Sequence, residues 1–230
     1  MNTEPKRIPT AKSSIELYEA MARKYDLTAK QHSWLPPDVA FGLVFEYIKP
    51  RQKLLDVGCG TGLSSKYFSK VGVETYGIDG SKNMIKEFRK KGFAKELKVI
   101  DLNDGKYPYP DKFFDQVISV GGFSFFRTLE PFIQESYRVL KDGGIFSFNV
   151  EELRGNEKNE YSNIDNAVIF KDMLKETGVK IYRHNFEQII NLLKKHNFET
   201  LKTLNYHAFK SPSIGKDIYS TVFVARRLKI

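Results

Sequence analysis

A single cysteine stands among 230 residues, so the chain cannot close an internal disulfide and reads as a cytoplasmic protein kept in a reducing compartment. That thiol, Cys59, lies inside a glycine turn, where its reading is a small filler side chain. Residues 1 to 14 are polar and basic without an apolar stretch, which speaks against a secretory signal or a membrane span. Internal repeats and low-complexity segments are lacking. Histidine is sparse: His32, His184, His196 and His207 are scattered, and each is more often structural or exposed than catalytic. The 41% of hydrophobic residues nevertheless suffice for one large core, and the length suits a single α/β domain spanning residues 1 to 230.

Positive charge is in excess, at a formal +9. Lysines such as Lys66, Lys70, Lys86 and Lys90 fall mostly at spacings that put them on the solvent faces of helices, which reads as a solvated surface. A groove for RNA or an anionic substrate is the alternative that the charge leaves open.

The densest signal is the run Leu54-Leu55-Asp56-Val57-Gly58-Cys59-Gly60-Thr61-Gly62. Its apolar part predicts a buried parallel strand, and Gly58, Gly60 and Gly62 allow a sharp turn on which a ligand can approach the backbone. A dinucleotide fingerprint would place its third glycine where Leu63 stands, so an NAD(P) oxidoreductase is disfavoured. Asp56, just before the turn, would repel a pyrophosphate and attract an ammonium or sulfonium cation.

Asp56 to Gly62 matches in full the (D/E)-x-G-x-G-x-G motif of the class I S-adenosylmethionine-dependent methyltransferases, which this stretch resembles. Four further landmarks follow in order. Val73 to Asp79 reads as a second strand with Asp79 at the position of the family's ribose-binding acid; Gly80-Ser81 follows, with Ser81 a helix N-cap. Met84 falls where relatives place an apolar residue against adenine. Lys98 to Leu102 reads as strand three, with Asp101 matching the acceptor of the adenine amino group and Leu102 beside it. Phe113 to Val120 and Val139 to Phe148 read as strands four and five. The resemblance is close over about residues 50 to 150, and nearest to the small-molecule, type 11 branch and the Williams-Beuren-region methyltransferase-like proteins.

The fold expected is α/β: a doubly wound, Rossmann-like sheet. Two helices, 13 to 31 and 37 to 48, precede it, broken by Pro36-Pro37. Helices at about 62 to 70, 81 to 91 and 129 to 140 separate the strands, the first two capped near Gly72 and Gly92. A helix at 186 to 195 leads to strands 199 to 209 and 217 to 227, read as an antiparallel hairpin. The resemblance implies that this hairpin ends a seven-stranded, mostly parallel sheet. Residues 151 to 184 form a candidate lid, since ligands bind at the carboxyl ends of such strands. The other half of the lid is the N-terminal helical cap, where Tyr18 and the Ala22-x-x-Tyr25-Asp26 pattern resemble a segment that closes over the cofactor; Tyr25 as a core aromatic is the alternative.

The resemblance implies S-adenosyl-L-methionine as cofactor, leaving as S-adenosyl-L-homocysteine, with Tyr25, Asp56, Gly58, Cys59, Gly60, Gly62, Asp79, Gly80, Met84, Asp101, Leu102 and Val120 around it and no metal. A sulfonium leaving group makes a dedicated base optional; His184, at the end of the candidate lid, is the preferred catalytic histidine, with His207 next. The turn Ser119-Val120-Gly121-Gly122 lacks the N-P-P-Y pattern of adenine and glutamine N-methylating enzymes, and the lone cysteine, inside the cofactor loop, excludes cytosine C5 chemistry. Where type 11 relatives carry an acid and a histidine stand Gly121 and Phe125. Phe123, Phe125 and Phe126 read equally as an apolar acceptor pocket or as packing. The reading is a methyltransferase acting on an O, N or C centre of a small molecule. The alternatives are an RNA, tRNA or protein methyltransferase and a non-catalytic partner subunit.

Overall fold

The apolar run before the glycine turn offers no polar face, and in the computed structural model it becomes an interior strand. The structure describes residues 13–152, 163–164, 167–169, 179, 181–210 and 217–229. Strands β1 (Lys53–Val57), β2 (Glu74–Asp79), β3 (Ala94–Val99), β4 (Phe114–Ser119) and β5 (Leu140–Glu151) come first. Short strands β6 (Asn163–Ile164), β7 (Ala167–Ile169) and β8 (Tyr182–His184) follow, then the long β9 (Phe198–Lys210) and β10 (Asp217–Arg227). The main sheet runs β3-β2-β1-β4-β5-β10-β9, parallel from β3 to β5 and antiparallel where β10 meets β5 and β9. The doubly wound sheet and its terminal hairpin thus stand as read from the sequence.

Alternation along the strands builds a core on each face. Leu55, Val57, Phe223 and Ala225 face one cluster with Phe123, Ile133, Phe146 and Phe148, while Leu54, Val222 and Val224 face a second with Val44, Phe68 and Ile118. Each fully buried Leu or Phe here contributes roughly 1.5–3 kcal/mol through apolar area withdrawn from water. Helices α4 (Ser65–Lys70), α5 (Lys82–Lys90) and α6 (Glu130–Val139) connect the parallel strands, and α7 (Phe186–Lys195) precedes the hairpin. Gly72 and Gly92 end their helices at φ +83° and +71°, the left-handed cap read from the sequence.

Three boundaries differ from the expectation. The first helix is two, α1 (Ser14–Met21) and α2 (Tyr25–Gln31), joined by a 3-10 turn at Ala22–Lys24 that contains neither glycine nor proline to announce it. Pro36 and Pro37 open α3 (Pro36–Val44), because the first turn of a helix needs no N–H there. Strand three is Ala94–Val99, not 98 to 102: as the sheet's edge it carries Lys95, Glu96 and Lys98, so no apolar run marks it. Asp101 instead caps a 3-10 turn, Leu102–Asp104, by accepting from Asn103 N at 2.9 Å.

Much of the candidate lid, residues 153–162, 165–166, 170–178 and 180, lies outside the described residues. Its described part forms the antiparallel set β6-β7-β8, and β8 lies beside β5 and the turn after β4. Among the described residues, no helix is long and apolar enough to cross a membrane.

The glycine turn is the least replaceable local feature. At Gly62, φ is +81° and a Cβ would stand 2.5 Å from the Phe88 ring; at Gly60, φ is +51° with nothing within 4 Å. Gly62→Ala is therefore expected to lower stability by about 2–4 kcal/mol through strain and overpacking. Gly60→Ala should cost about 1–2 kcal/mol from the left-handed backbone alone. Urea unfolding of the two variants checks the order.

Candidate active site

The ends of β1, β2 and β4 are tied together by backbone bonds, and the tie shapes a cavity. Gly58 N and Cys59 N donate to the carbonyl of Ile78 at 2.9 and 3.1 Å, and Ser119 Oγ donates to the carbonyl of Val57 at 2.9 Å. Asp79 closes the knot, its Oδ2 accepting from Gly60 N and its Oδ1 from Ser81 N, both at 2.8 Å. Burial pushes its carboxyl up, while these two N–H groups pull it down. Ser81 Oγ accepts from Met84 N at 3.1 Å, so α5 starts at that point.

Above this knot lies a cavity that opens to the surface. Gly58 and Gly60 form one wall, Asp79 and Gly80 the strand end, Met84 and Leu102 an apolar side with Asp101, and Val120 to Gly122 the turn after β4. Tyr18, Tyr25, Phe125 and Phe126 complete it. Nine of the twelve expected cofactor residues thus meet in one place: Tyr25, Gly58, Gly60, Asp79, Gly80, Met84, Asp101, Leu102 and Val120.

The other three stand behind the wall. Asp56 is 1% exposed and accepts from Ser65 Oγ. Cys59 packs with Ile85 and Phe88, its Sγ 2.8 Å from where a Cβ on Gly77 would sit, which is the filler role read for it. Gly62 faces Phe88.

A second cavity, about 230 Å³, abuts the first. Tyr18, Tyr25, Gly121 and Phe125 belong to both. Tyr18 meets Tyr25 and Phe125 edge-on at 5.7 and 5.4 Å, and Tyr25 meets Trp34 at 6.2 Å. Val179 and Ile181, from the described part of the lid segment, cover it. Of the phenylalanine cluster, Phe123 is core, whereas Phe125 lines both cavities and Phe126 the first while packing on Phe132 at 4.4 Å.

His184 borders neither cavity. It is 6% exposed, lines a separate recess with Arg127, Gln188 and Lys195, and its ring lies against the carbonyls of Phe123 and Phe126 while its Nε2 is buried without a partner among the described residues. Burial pulls its pKa down to about 4, against those two carbonyls, so the ring is neutral at pH 7. Among the other histidines, His196 pairs with Glu130 at 2.8 Å, His207 with Asp217 at 3.1 Å, and His32 lines the second cavity.

Two acids that position the helical cap were not singled out as site residues. Glu19 on α1 accepts from Lys82 N at 2.5 Å and from Asn83 N, capping α5 across the chain. Asp26 accepts from Thr61 Oγ1 at 2.5 Å and pairs with Lys91 at 2.5 Å, fastening α2 to the glycine turn. Both lie beside expected positions, but no spacing rule marks a carboxylate whose partner is more than 30 residues away.

Residues 55–148 match the family described as a methyltransferase domain. Over this segment the chain is similar to the type 11 methyltransferase domain. Along 93% of its length the chain is 28% identical to an uncharacterised protein of Methanocaldococcus jannaschii, covering 90% of that protein. It is 33% identical, over 40% of its length, to the demethylmenaquinone methyltransferase of Tropheryma whipplei, of which it spans 39%. An S-adenosylmethionine-dependent methyltransferase structure from Methanosarcina mazei shares the methyltransferase fold, with a TM-score of 0.69 at 19% identity, covering 82% of this chain and 98% of that one.

The buried acid behind the turn gives this segment a pH signature. Burial raises the Asp56 carboxyl from 3.8 to about 7, with Ser65 opposing and Asp79 adding to the rise. The unfolded chain sheds that proton near pH 4 and the folded one keeps it until about pH 7, so this group's contribution to stability falls as pH rises through that window. Asp56→Asn should remove the fall: between pH 4 and 8 the variant gains on the wild type by at most on the order of 4 kcal/mol. Urea unfolding at a series of pH values measures the difference.

Proposed function

We propose that the protein is an S-adenosylmethionine-dependent methyltransferase acting on a small molecule. The observation that carries this is the Asp79 carboxylate, set at the end of β2 between the Gly58–Gly60 backbone and the Met84–Leu102 wall. The first cavity fits such a cofactor. Gly58 and Gly60, at φ +69° and +51°, present backbone with no side chain in the way, and Asp79 keeps acceptor capacity beyond its two backbone bonds. Asp79 would hold the ribose hydroxyls, Met84 and Leu102 would flank adenine with Asp101 at its edge, and Val120 would border the methionine moiety. Tyr25 closes the cavity from the cap.

Bound there, the sulfonium supplies a methyl group that leaves without acid assistance. The chain's own contribution is alignment and exclusion of water by Tyr18, Tyr25 and Phe125. His184 holds the turn after β4 through its carbonyls, so in this reading it positions Phe125 and Phe126, and no histidine is needed as base. Similarity to a quinone-pathway methyltransferase supports a small-molecule acceptor. The lining of both cavities does too, since no lysine or arginine is among it in the described residues, which disfavours an RNA substrate.

Calorimetric titration with S-adenosylhomocysteine, with NADH in parallel, tests the cofactor. Micromolar binding of the homocysteine product is expected, weakened at least about tenfold by Asp79→Ala. NADH binding in its place would overturn the assignment.

A further inference from the structure

The second cavity has a chemistry of its own. Its walls are Leu17, Met21, Trp34, Phe125, Ile181 and Ile218, contributed by α1, the cap, the turn after β4, the lid segment and β10. The polar side chains at its floor are engaged with one another. Asn149 Oδ1 accepts from Gly121 N at 2.7 Å, Asn149 Nδ2 donates to Ser220 Oγ at 2.7 Å, and Ser220 Oγ donates to the carbonyl of Val150 at 3.1 Å. Glu151, also in the lining, pairs at 3.4 Å with Arg183, itself buried outside the cavity. The floor therefore offers a charge-balanced carboxylate in a mostly apolar enclosure, with His32 on its wall and no lysine or arginine among the described lining residues.

Such an enclosure discriminates by charge. An anionic ligand would lose its hydration beside Glu151, and among the described lining residues no lysine or arginine compensates. A flat, neutral ring can lie against the edges of Tyr25, Trp34 and Phe125, and a hydroxyl on it can donate to Glu151. The cavity shares Tyr18, Tyr25, Gly121 and Phe125 with the one read above as the cofactor's, so a ligand here abuts the methyl donor.

We propose that the cavity between the helical cap, Asn149–Glu151 and Ile218–Ser220 is the acceptor site, and that it takes a neutral, hydroxylated aromatic small molecule. This rests on the methyltransferase reading only for the word acceptor; the ligand class follows from the cavity itself.

The test uses the full chain and two probes of one shape, 2-naphthol and the anion 2-naphthoate. Binding is read by calorimetry and by the indole N–H resonance of Trp34, the sole tryptophan. Ala29→Phe fills the second cavity from α2 without touching the first. The expected result is that 2-naphthol binds and moves the Trp34 signal, that 2-naphthoate binds at least about tenfold more weakly, and that Ala29→Phe weakens 2-naphthol at least about tenfold while S-adenosylhomocysteine binding is kept. Retained S-adenosylhomocysteine binding also shows that the variant is folded; Thr28→Phe, on the same wall, serves if it is not.

Failure of 2-naphthol to bind, indifference to both filling variants, or equal affinity for 2-naphthoate overturns the proposal. Loss of S-adenosylhomocysteine binding in the wild type, with the naphthol results as expected, overturns the cofactor reading and leaves the ligand class standing.

Discussion

The carboxylate of Asp79 is the point on which the site is assembled. A half-buried carboxylate must find donors, and here they are Gly60 N from the turn after β1 and Ser81 N from the start of α5. Gly60 N can reach Asp79 only if the chain reverses within three residues of Val57. That reversal places Gly58, Gly60 and Gly62 at positive φ and lets Gly58 N and Cys59 N share the carbonyl of Ile78. The same carboxylate therefore sets the glycine turn, the first turn of α5 and the mouth of the cavity at once. The cap then fastens to what Asp79 has organised: Glu19 onto the amino end of α5, Asp26 onto Thr61 and Lys91.

This explains which parts could be read from the chain. The turn at Gly58 to Gly62, the acid closing β2, the Ser81 cap and the C-terminal hairpin are local: each is specified by a few adjacent residues whose conformational demands admit one solution. The edge strand β3 was misplaced because an edge needs no apolar alternation, and its Lys and Glu residues look like a helix surface. The break between α1 and α2 was invisible because it serves tertiary partners more than 30 residues away. Asp56 illustrates the same limit. Motif position put it beside the ligand, and packing under Ser65 sets it behind the turn with its carboxyl pKa raised by burial. His184 was chosen for standing at the end of a lid, and it lies one layer further back, holding carbonyls of the turn whose side chains reach the cavity.

Net charge and the lining of the cavities differ for a physical reason. Many of the lysines stand in surface pairs such as Lys141–Asp115, Lys195–Glu130 and Lys202–Glu46, each of little energetic weight, and the surplus is spread over the surface. Around the cavities the balance is reversed: Asp79, Asp101 and Glu151 line them, with His32 but no lysine or arginine among the described lining. A buried field is set by the charges within a few ångströms, where screening is weak, so the local acids outweigh a distant surplus of lysines. That field suits a sulfonium on one side of the aromatic partition and an uncharged partner on the other.

The partition itself follows from the cap. Tyr18 and Tyr25 sit on different helices because the 3-10 turn at Ala22–Lys24 separates α1 from α2, and their rings meet edge-on instead of stacking along one helix face. Tyr25 can then touch Trp34 while Tyr18 touches Phe125, so four rings, from α1, α2, the loop before α3 and the turn after β4, close the space between the cavities. Gly121 keeps the partition thin: at φ +82°, with a Cβ that would come within 2.9 Å of Trp34, only glycine lets the backbone of the turn lie against the indole. Two ligands lodged on either side of backbone and ring edges are brought close while water is held out, which is the condition under which displacement at carbon gains most from alignment.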